Sequence, residues 1–319
     1  MNETPVQIRT LTNSELQAFK GCRRDWYLGY HLRLTPVVER QVGPLKLGSR
    51  VHEALAVHYS GGDAVAAHLQ ACQRDEKLLA PDITEEELKK FVSECALGGL
   101  MIEGYLEWLA ETGADHGLTV HAIESKIEAP LASINGQQVN LLGKLDSRVT
   151  RELDGARLFL DHKTCASFAD VLGTILINEQ FPTYQLLERL DKQQRGGDEP
   201  LSQGSIVNML RKVKRSATAK PPFYYREEVH HSDLELDHFQ RRLIAEAVDM
   251  LRAEADLAAG LDHRVVCYPR PSRDCTWRCK FLKVCGMMED GSDAQRFLDE
   301  RYTTYDPLAR YANEDQEGE

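Results

Sequence analysis

Apolar positions recur at two different periods along the chain, and the switch between them divides it. From Thr84 to Glu111, Leu88, Phe91, Val92, Cys95, Met101, Tyr105 and Leu109 recur at helical spacing. Thr84 with Glu87 supplies a capping-box pair at the start of that helix. Nearer the N-terminus, Leu16, Phe19, Trp26 and Tyr27 predict a helix capped at Asn13 or Ser14, and Gly48 opens a second helical stretch over 49–59. Near His121 the period changes to two. Residues 121–131, 137–151 and 157–165 read as strands, with Asn135-Gly136 and Asp154-Gly155 as the turns between them. A helix over 177–191, strands over 205–210 and 222–229, and a last long helix capped at Ser232 or Asp233 follow. This order predicts a mixed α/β (α+β) fold, a central mixed sheet flanked by helices.

Composition narrows the setting. The 319 residues carry 39 Lys and Arg against 50 Asp and Glu, a net charge of −11, which argues against a general nucleic-acid coat protein but leaves room for a local basic groove. No apolar run is long enough to cross a bilayer, and residues 1–10 lack a signal pattern, so the expected setting is cytoplasmic. Thiols stay reduced there. Eight cysteines therefore need an explanation, above all the three in Cys275-x3-Cys279-x5-Cys285, a spacing that reads as metal ligands rather than a disulfide frame. Cys72, Cys95 and Cys165 read as packing residues.

Candidate chemistry concentrates on two strands. In Leu158-Phe159-Leu160-Asp161-His162-Lys163, alternation puts Asp161 and Lys163 on the same side. An acid and an amine so placed suit metal-assisted phosphodiester hydrolysis; the ordinary reading is a strand-end ion pair. Asp146 interrupts an apolar run on the preceding strand, where a carboxylate needs a metal or a partner such as Arg148 or Lys144. His52 lies on a helix, and Gln180 and Tyr184 stand near the start of another.

In this order the residues resemble a family. His52, Gly143 with Asp146, Asp161 with Lys163, and Gln180 with Tyr184 resemble the pattern of a RecB-type nuclease of the PD-(D/E)XK superfamily, in the branch that includes CRISPR-associated and phage exonucleases with an iron–sulfur cluster. The resemblance implies a restriction-endonuclease-like core in which His52, Asp146, Asp161 and the carbonyl of His162 hold Mg²⁺ or Mn²⁺. Lys163 would assist the attacking water, and Gln180 and Tyr184 would position the nucleic-acid strand. Oxygen and imidazole donors suit those cations. Glu124 is a further possible acid outside this set.

The resemblance also implies that Cys22 joins Cys275, Cys279 and Cys285 around a [4Fe–4S] cluster, a staple between the two ends of the chain. Structural Zn²⁺ on the same four thiolates is the alternative, since spacing does not separate them. The three residues between Cys275 and Cys279 depart from the two of many relatives, and Cys267 is a nearby substitute ligand. The expected organisation is one nuclease domain over 1–290, comprising a helical part (11–112), a catalytic core (about 121–230) and a C-terminal helix with the cysteines (232–286). A partly disordered tail over 291–319 is expected to follow.

The expected activity is a metal-dependent DNA exonuclease acting on single-stranded ends in recombination, repair or phage DNA processing. The alternative is a non-cleaving module that binds DNA ends or a recombination partner. A recombination protein or helicase is a conceivable partner, and no Gly-x4-Gly-Lys-[Ser/Thr] loop is present to fuse a motor to the chain. Arg211, Lys212, Lys214, Arg215, Lys220 and Arg226, interleaved with Phe223, Tyr224 and Tyr225, form either a phosphate-contacting edge or a solvated loop. Arg23, Arg24 and Arg50 are candidate additions to that track.

Overall fold

Side-chain caps decide where the helices of this chain begin. The computed structural model describes residues 8–215 and 218–312. In chain order the elements are β1 (Ile8–Thr12), α1 (Asn13–Gly21), α2 (Arg23–Trp26), β2 (Leu34–Pro36), α3 (Pro44–Tyr59), α4 (Ala64–Glu76), α5 (Glu85–Thr112), β3 (Leu118–Ile134), β4 (Gln137–Arg151), β5 (Ala156–Cys165), α6 (Phe168–Leu172), α7 (Gln180–Arg195), β6 (Gly204–Arg211), β7 (Tyr224–His230), α8 (Asp233–Ala258), α9 (His263–Val266), α10 (Leu282–Asp290), α11 (Ala294–Arg301) and β8 (Tyr302–Thr304). The fold is mixed α/β.

Several starts differ from the sequence expectation. Thr12 rather than Asn13 or Ser14 caps α1, because its extended backbone lets the hydroxyl accept from the Glu15 amide. Helix α3 begins at Pro44, ahead of Gly48, since proline suits the first helical turn where its missing N–H is not needed. Helix α4 was not anticipated; Asp63 caps it by accepting from the amides of Val65 and Ala66. The Thr84–Glu87 capping box is present at α5. The expected tail is ordered over 294–304 as α11 and β8, because Leu298 is buried with Leu28, Phe281 and Val284. Residues 1–7 and 313–319, parts of the expected leaderless start and frayed end, lie outside the described residues.

The chain divides into two compact units. The larger, residues 40–127 and 144–236, contains a mixed sheet. There β4 pairs antiparallel with β5, β5 parallel with β6, and β6 antiparallel with β7. A parallel pair requires a crossover, and α6 with α7 supplies it. On one face Val51, Leu55, Met101 and Tyr105 pack with Leu210 of β6. On the other, Phe181 of α7 packs with Val207 and Met209. Adjacent β6 residues thus serve opposite faces, as strand alternation requires.

The second unit comprises residues 1–39, 128–143 and 237–319. Within it β1 runs parallel to the start of β4, from Ile8 opposite Gln138 to Thr12 opposite Leu142, and β2 pairs antiparallel with β8. Trp26 is fully buried and donates its indole N–H to Glu15, which also pairs with Arg9.

Candidate active site

Strand β5 sends its polar side chains to two faces. On the α7 face Asp161 is fully buried, and its Oδ2 lies 2.7 Å from Lys163 Nζ. Oδ1 accepts from Gln180 Nε2 at 2.9 Å and from the Tyr184 hydroxyl at 3.4 Å. Lys163 Nζ also donates to Gln180 Oε1 at 2.6 Å, and since an ammonium only donates, the Gln180 amide orientation follows. Gln180 Nε2 donates to the Tyr184 hydroxyl as well. The two residues are four apart on α7 and so share a face. Both therefore turn onto the acid and the lysine; Tyr184, buried with its hydroxyl engaged, is not presented to a nucleic-acid strand.

Asp146 approaches from β4. Its Oδ2 accepts the His162 backbone N–H at 3.0 Å and lies 3.4 Å from His52 Nδ1 on α3. Lys144, a partner considered for it, instead pairs with Glu124 at 2.6 Å, which accounts for that extra acid too. Among the described residues no hydrogen bond or ion pair joins Asp146 to Arg148. Burial disfavours the Asp146 charge, but the hydrogen bond and charge of His52 hold its carboxyl well below the usual carboxylate range. Burial likewise works against a charged His52 ring, yet Asp146 raises its pKa. Asp161 goes the other way: burial pushes its carboxyl up against the pull of Lys163, and the Asp146 charge adds to the rise. Two nearby carboxyls driven in opposite directions are a hallmark of catalytic sites.

The opposite face of β5 carries a buried network that sequence reasoning missed. His162 Nδ1 lies 2.9 Å from Asn208 Nδ2, and Tyr59 stacks on the imidazole with centroids 5.3 Å apart. Arg226 Nε donates to Asn208 Oδ1 at 3.1 Å. Because guanidinium only donates, the Asn208 amide must point its NH₂ at His162, making Nδ1 an acceptor and leaving the ring proton of neutral His162 on Nε2. Burial pushes the His162 pKa down to about 3. Asn208 Nδ2 and Arg226 Nη2 also reach the Tyr105 hydroxyl, and Arg226 pairs with Asp115 at 2.6 Å. The available signal was an asparagine inside the apolar run Ile206–Leu210.

This accounting corrects the basic track. Arg226 is spent internally, Tyr224 is buried with its hydroxyl on the Met101 carbonyl, and Arg215 pairs with Glu107. Arg24 and Arg50 are buried and paired with Glu289 and Asp75, so neither adds to it. Arg23 lies over the Phe19 and Tyr268 rings. Lys214, Lys220 and Tyr225 are exposed, while residues 216 and 217 lie outside the described residues.

In the second unit, backbone amides point at three of the singled-out sulfurs. Arg270 N donates to Cys22 Sγ at 3.3 Å, and Ser272 N and Phe281 N donate to Cys275 and Cys279 at 3.4 Å. Arg24 Nη1 lies 3.9 Å from Cys285 Sγ. Burial pushes the Cys279 thiol up to about 12, with Cys275 and Cys22 close enough to add to the shift. Cys267 is fully buried, and burial pushes it up to about 11; Arg23 and Arg24 are the charges that act on it. Among the described residues no three His, Cys, Asp or Glu side chains are gathered as a metal-holding group.

A model of the PD-(D/E)XK nuclease superfamily matches residues 10–286. The chain belongs to the PD-(D/E)XK nuclease superfamily. Among solved structures, one described as a "putative exonuclease" from Eubacterium rectale is similar to this nuclease at 12% identity, covering 87% of each chain with a TM-score of 0.44. No curated protein matches it. No helix of the described residues is long and apolar enough to cross a membrane.

Proposed function

We propose that this PD-(D/E)XK nuclease is a metal-dependent DNA exonuclease that hydrolyses phosphodiester bonds at single-stranded ends, in recombination, repair or phage DNA processing. The observation that carries the catalytic assignment is the buried Asp161 held between Lys163 and Gln180, with Asp146 close enough to raise its pKa. Two carboxylates in mutual repulsion suit a hard divalent cation, so the donor set fits the Mg²⁺ or Mn²⁺ that nucleases of this superfamily generally use. Asp146, Asp161, the His162 carbonyl and His52 would hold it, and when bound it supplies Lewis-acid activation of phosphate and water. Lys163 offers charge and a proton at Nζ. Gln180 and Tyr184 keep Asp161 and Lys163 in register. The exposed Lys214, Lys220 and Tyr225 are available to phosphates and unpaired bases.

The match over 10–286 spans parts of both units, which supports reading them as one nuclease domain. Three amide-to-sulfur bonds support Cys22, Cys275 and Cys279 as thiolate ligands, because such bonds stabilise and tune metal-bound sulfur, and Cys285, with Arg24 beside its sulfur, would complete the set. We assign them a [4Fe–4S] cluster, which makes the nuclease a member of the RecB-like, cluster-bearing branch. Anaerobically purified protein is then expected to be brown and to carry iron; a colourless, zinc-loaded preparation overturns that assignment. For the active site, Asp161→Asn and Lys163→Ala are each expected to lower Mg²⁺- or Mn²⁺-dependent DNA degradation by about a hundredfold or more. Unchanged degradation by either variant removes the proposed site.

A further inference from the structure

Residues 268–283, in the second unit, reverse the charge of the chain around them. They hold five basic residues, Arg270, Arg273, Arg278, Lys280 and Lys283, against the single acid Asp274, in a sequence of net charge −11. Lys280 pairs with Glu39 at 3.1 Å. Arg270 Nη1 donates to the Lys20 carbonyl at 3.2 Å, which leaves its charge unneutralised. Arg273, Arg278 and Lys283 are exposed, and among the described residues their side chains make no hydrogen bond or ion pair. Asp25 is near enough to feel the Arg278 charge without pairing with it. This separates the segment from the 211–226 strip, whose Arg215 and Arg226 are paired with acids.

The same segment exposes its rings. Trp277 is 55% exposed and Tyr268 52%, whereas Trp26 is fully buried and Trp108 half-buried. Lone apolar residues at a surface are ordinary, but Trp277 adjoins the unpaired Arg278, and Arg23 of α2 lies 5.5 Å over the Tyr268 ring. These groups are held in place. Cys267 and Phe281 are buried at either end, Phe281 against Leu28, Val284 and Leu298. Between them the amides of Trp277 and Arg278 return to the Asp274 carbonyl at 3.3 and 2.8 Å. Among the described residues 268–281 the only regular element is the 3₁₀ turn Arg273–Thr276, so this stretch presents no long helix or strand to a duplex groove. Exposed ring faces on an irregular basic segment suit unpaired bases instead.

We propose that residues 268–283, with Arg23, form a binding surface for single-stranded DNA, in which Trp277 and Tyr268 stack on bases while Arg270, Arg273, Arg278 and Lys283 meet phosphates. Charge alone would fit any acidic polymer; the exposed rings select one that carries bases. The proposal rests on the reading of this nuclease as acting on single-stranded DNA, and adds to it a surface none of whose residues belongs to the catalytic assignment. Neither its charge nor its rings depend on which metal the neighbouring cysteines hold.

The test follows binding of a labelled oligothymidylate to full-length protein by fluorescence anisotropy, without added divalent cation so that the strand stays intact; degradation is assayed separately with Mg²⁺ or Mn²⁺. Trp277→Ala should weaken binding on the order of tenfold, the loss of one base stack, and Trp277→Phe should restore most of it. Arg273→Gln, Arg278→Gln and Lys283→Gln combined should lower the slope of log affinity against log salt by about 2, at roughly 0.7 per phosphate contact. Photocrosslinking of the wild-type protein to a strand carrying iodouracil should map to Trp277 or Tyr268, which decides the matter even if a variant misfolds. If the wild-type protein binds the strand but neither affinity nor salt slope responds to these substitutions, or crosslinks fall only outside 268–283, the proposal is overturned while the nuclease reading stands. Equal displacement of the strand by polyglutamate, with Trp277→Ala without effect, marks a surface for acidic polymers and overturns it too. Trp277-dependent binding by a protein that degrades no DNA keeps this surface and removes the nuclease reading instead.

Discussion

Truncating Asn208 tests the buried network beneath the catalytic strand. In Asn208→Ala, Arg226 Nε and His162 Nδ1 lose their partners at 3.1 and 2.9 Å, while the Tyr105 hydroxyl keeps Tyr59 and Arg226. Both orphaned groups are removed from solvent, and leaving such a group unsatisfied costs roughly 1–3 kcal/mol, so the variant should lose about 2–6 kcal/mol. Because the chain has two units, global unfolding is a poor measure. Native-state hydrogen exchange of the β6 amides reads the affected unit directly. A loss of ~3 kcal/mol should speed the slowest of them more than a hundredfold, given that about 1.4 kcal/mol is tenfold. Acceleration below about threefold would show that the network contributes little. Long-range ¹⁵N NMR of the wild-type protein adds a sharper check: His162 should carry its proton on Nε2, and a proton on Nδ1 refutes the inferred amide orientation.

Arg50→Met removes a fully buried guanidinium and leaves Asp75 with Arg74 and Glu94 with the Gly43 amide, so a loss of about 3 kcal/mol is expected from urea titration of hydrogen exchange in α3 and α5; a change under about 1 kcal/mol contradicts the pairing. Chelation with EDTA should stop DNA degradation, with recovery on adding Mn²⁺ or Mg²⁺, and persistence of cleavage in EDTA argues against metal-assisted hydrolysis. Cys22→Ser is expected to abolish bound iron while Cys267→Ser retains it, as measured by metal analysis; the reverse result would assign the fourth ligand to Cys267.

The parts of this molecule legible in its sequence were those governed by local rules. Alternation alone placed Asp161 and Lys163 together, and the β3–β4 turn at Asn135-Gly136 takes the positive φ angles those residues tolerate. The helix α5 was readable from one capping box and one stripe. What escaped was pairing over long separations. Arg226 counted as one charge in a basic strip, but its partners Tyr59, Tyr105 and Asp115 lie more than a hundred residues away. Helix α4 escaped because its apolar stripe is too short and weak to announce itself. Asp146 was matched with neighbours in sequence, whereas its imidazole partner comes from α3.

The placement of Gln180 and Tyr184 sets how this nuclease can tolerate insertions and deletions. Both act on Asp161 from successive turns at the very start of α7. One residue added between them would rotate the second by about 100°, and the phenol would leave the acid. The stretch from Ser167 to Asn178, by contrast, contains only short helical turns and no residue hydrogen-bonded or ion-paired to Asp161 or Lys163. Length variation should therefore accumulate there and be excluded from 180–184, a pattern that a random insertion library selected for DNA cleavage would record directly.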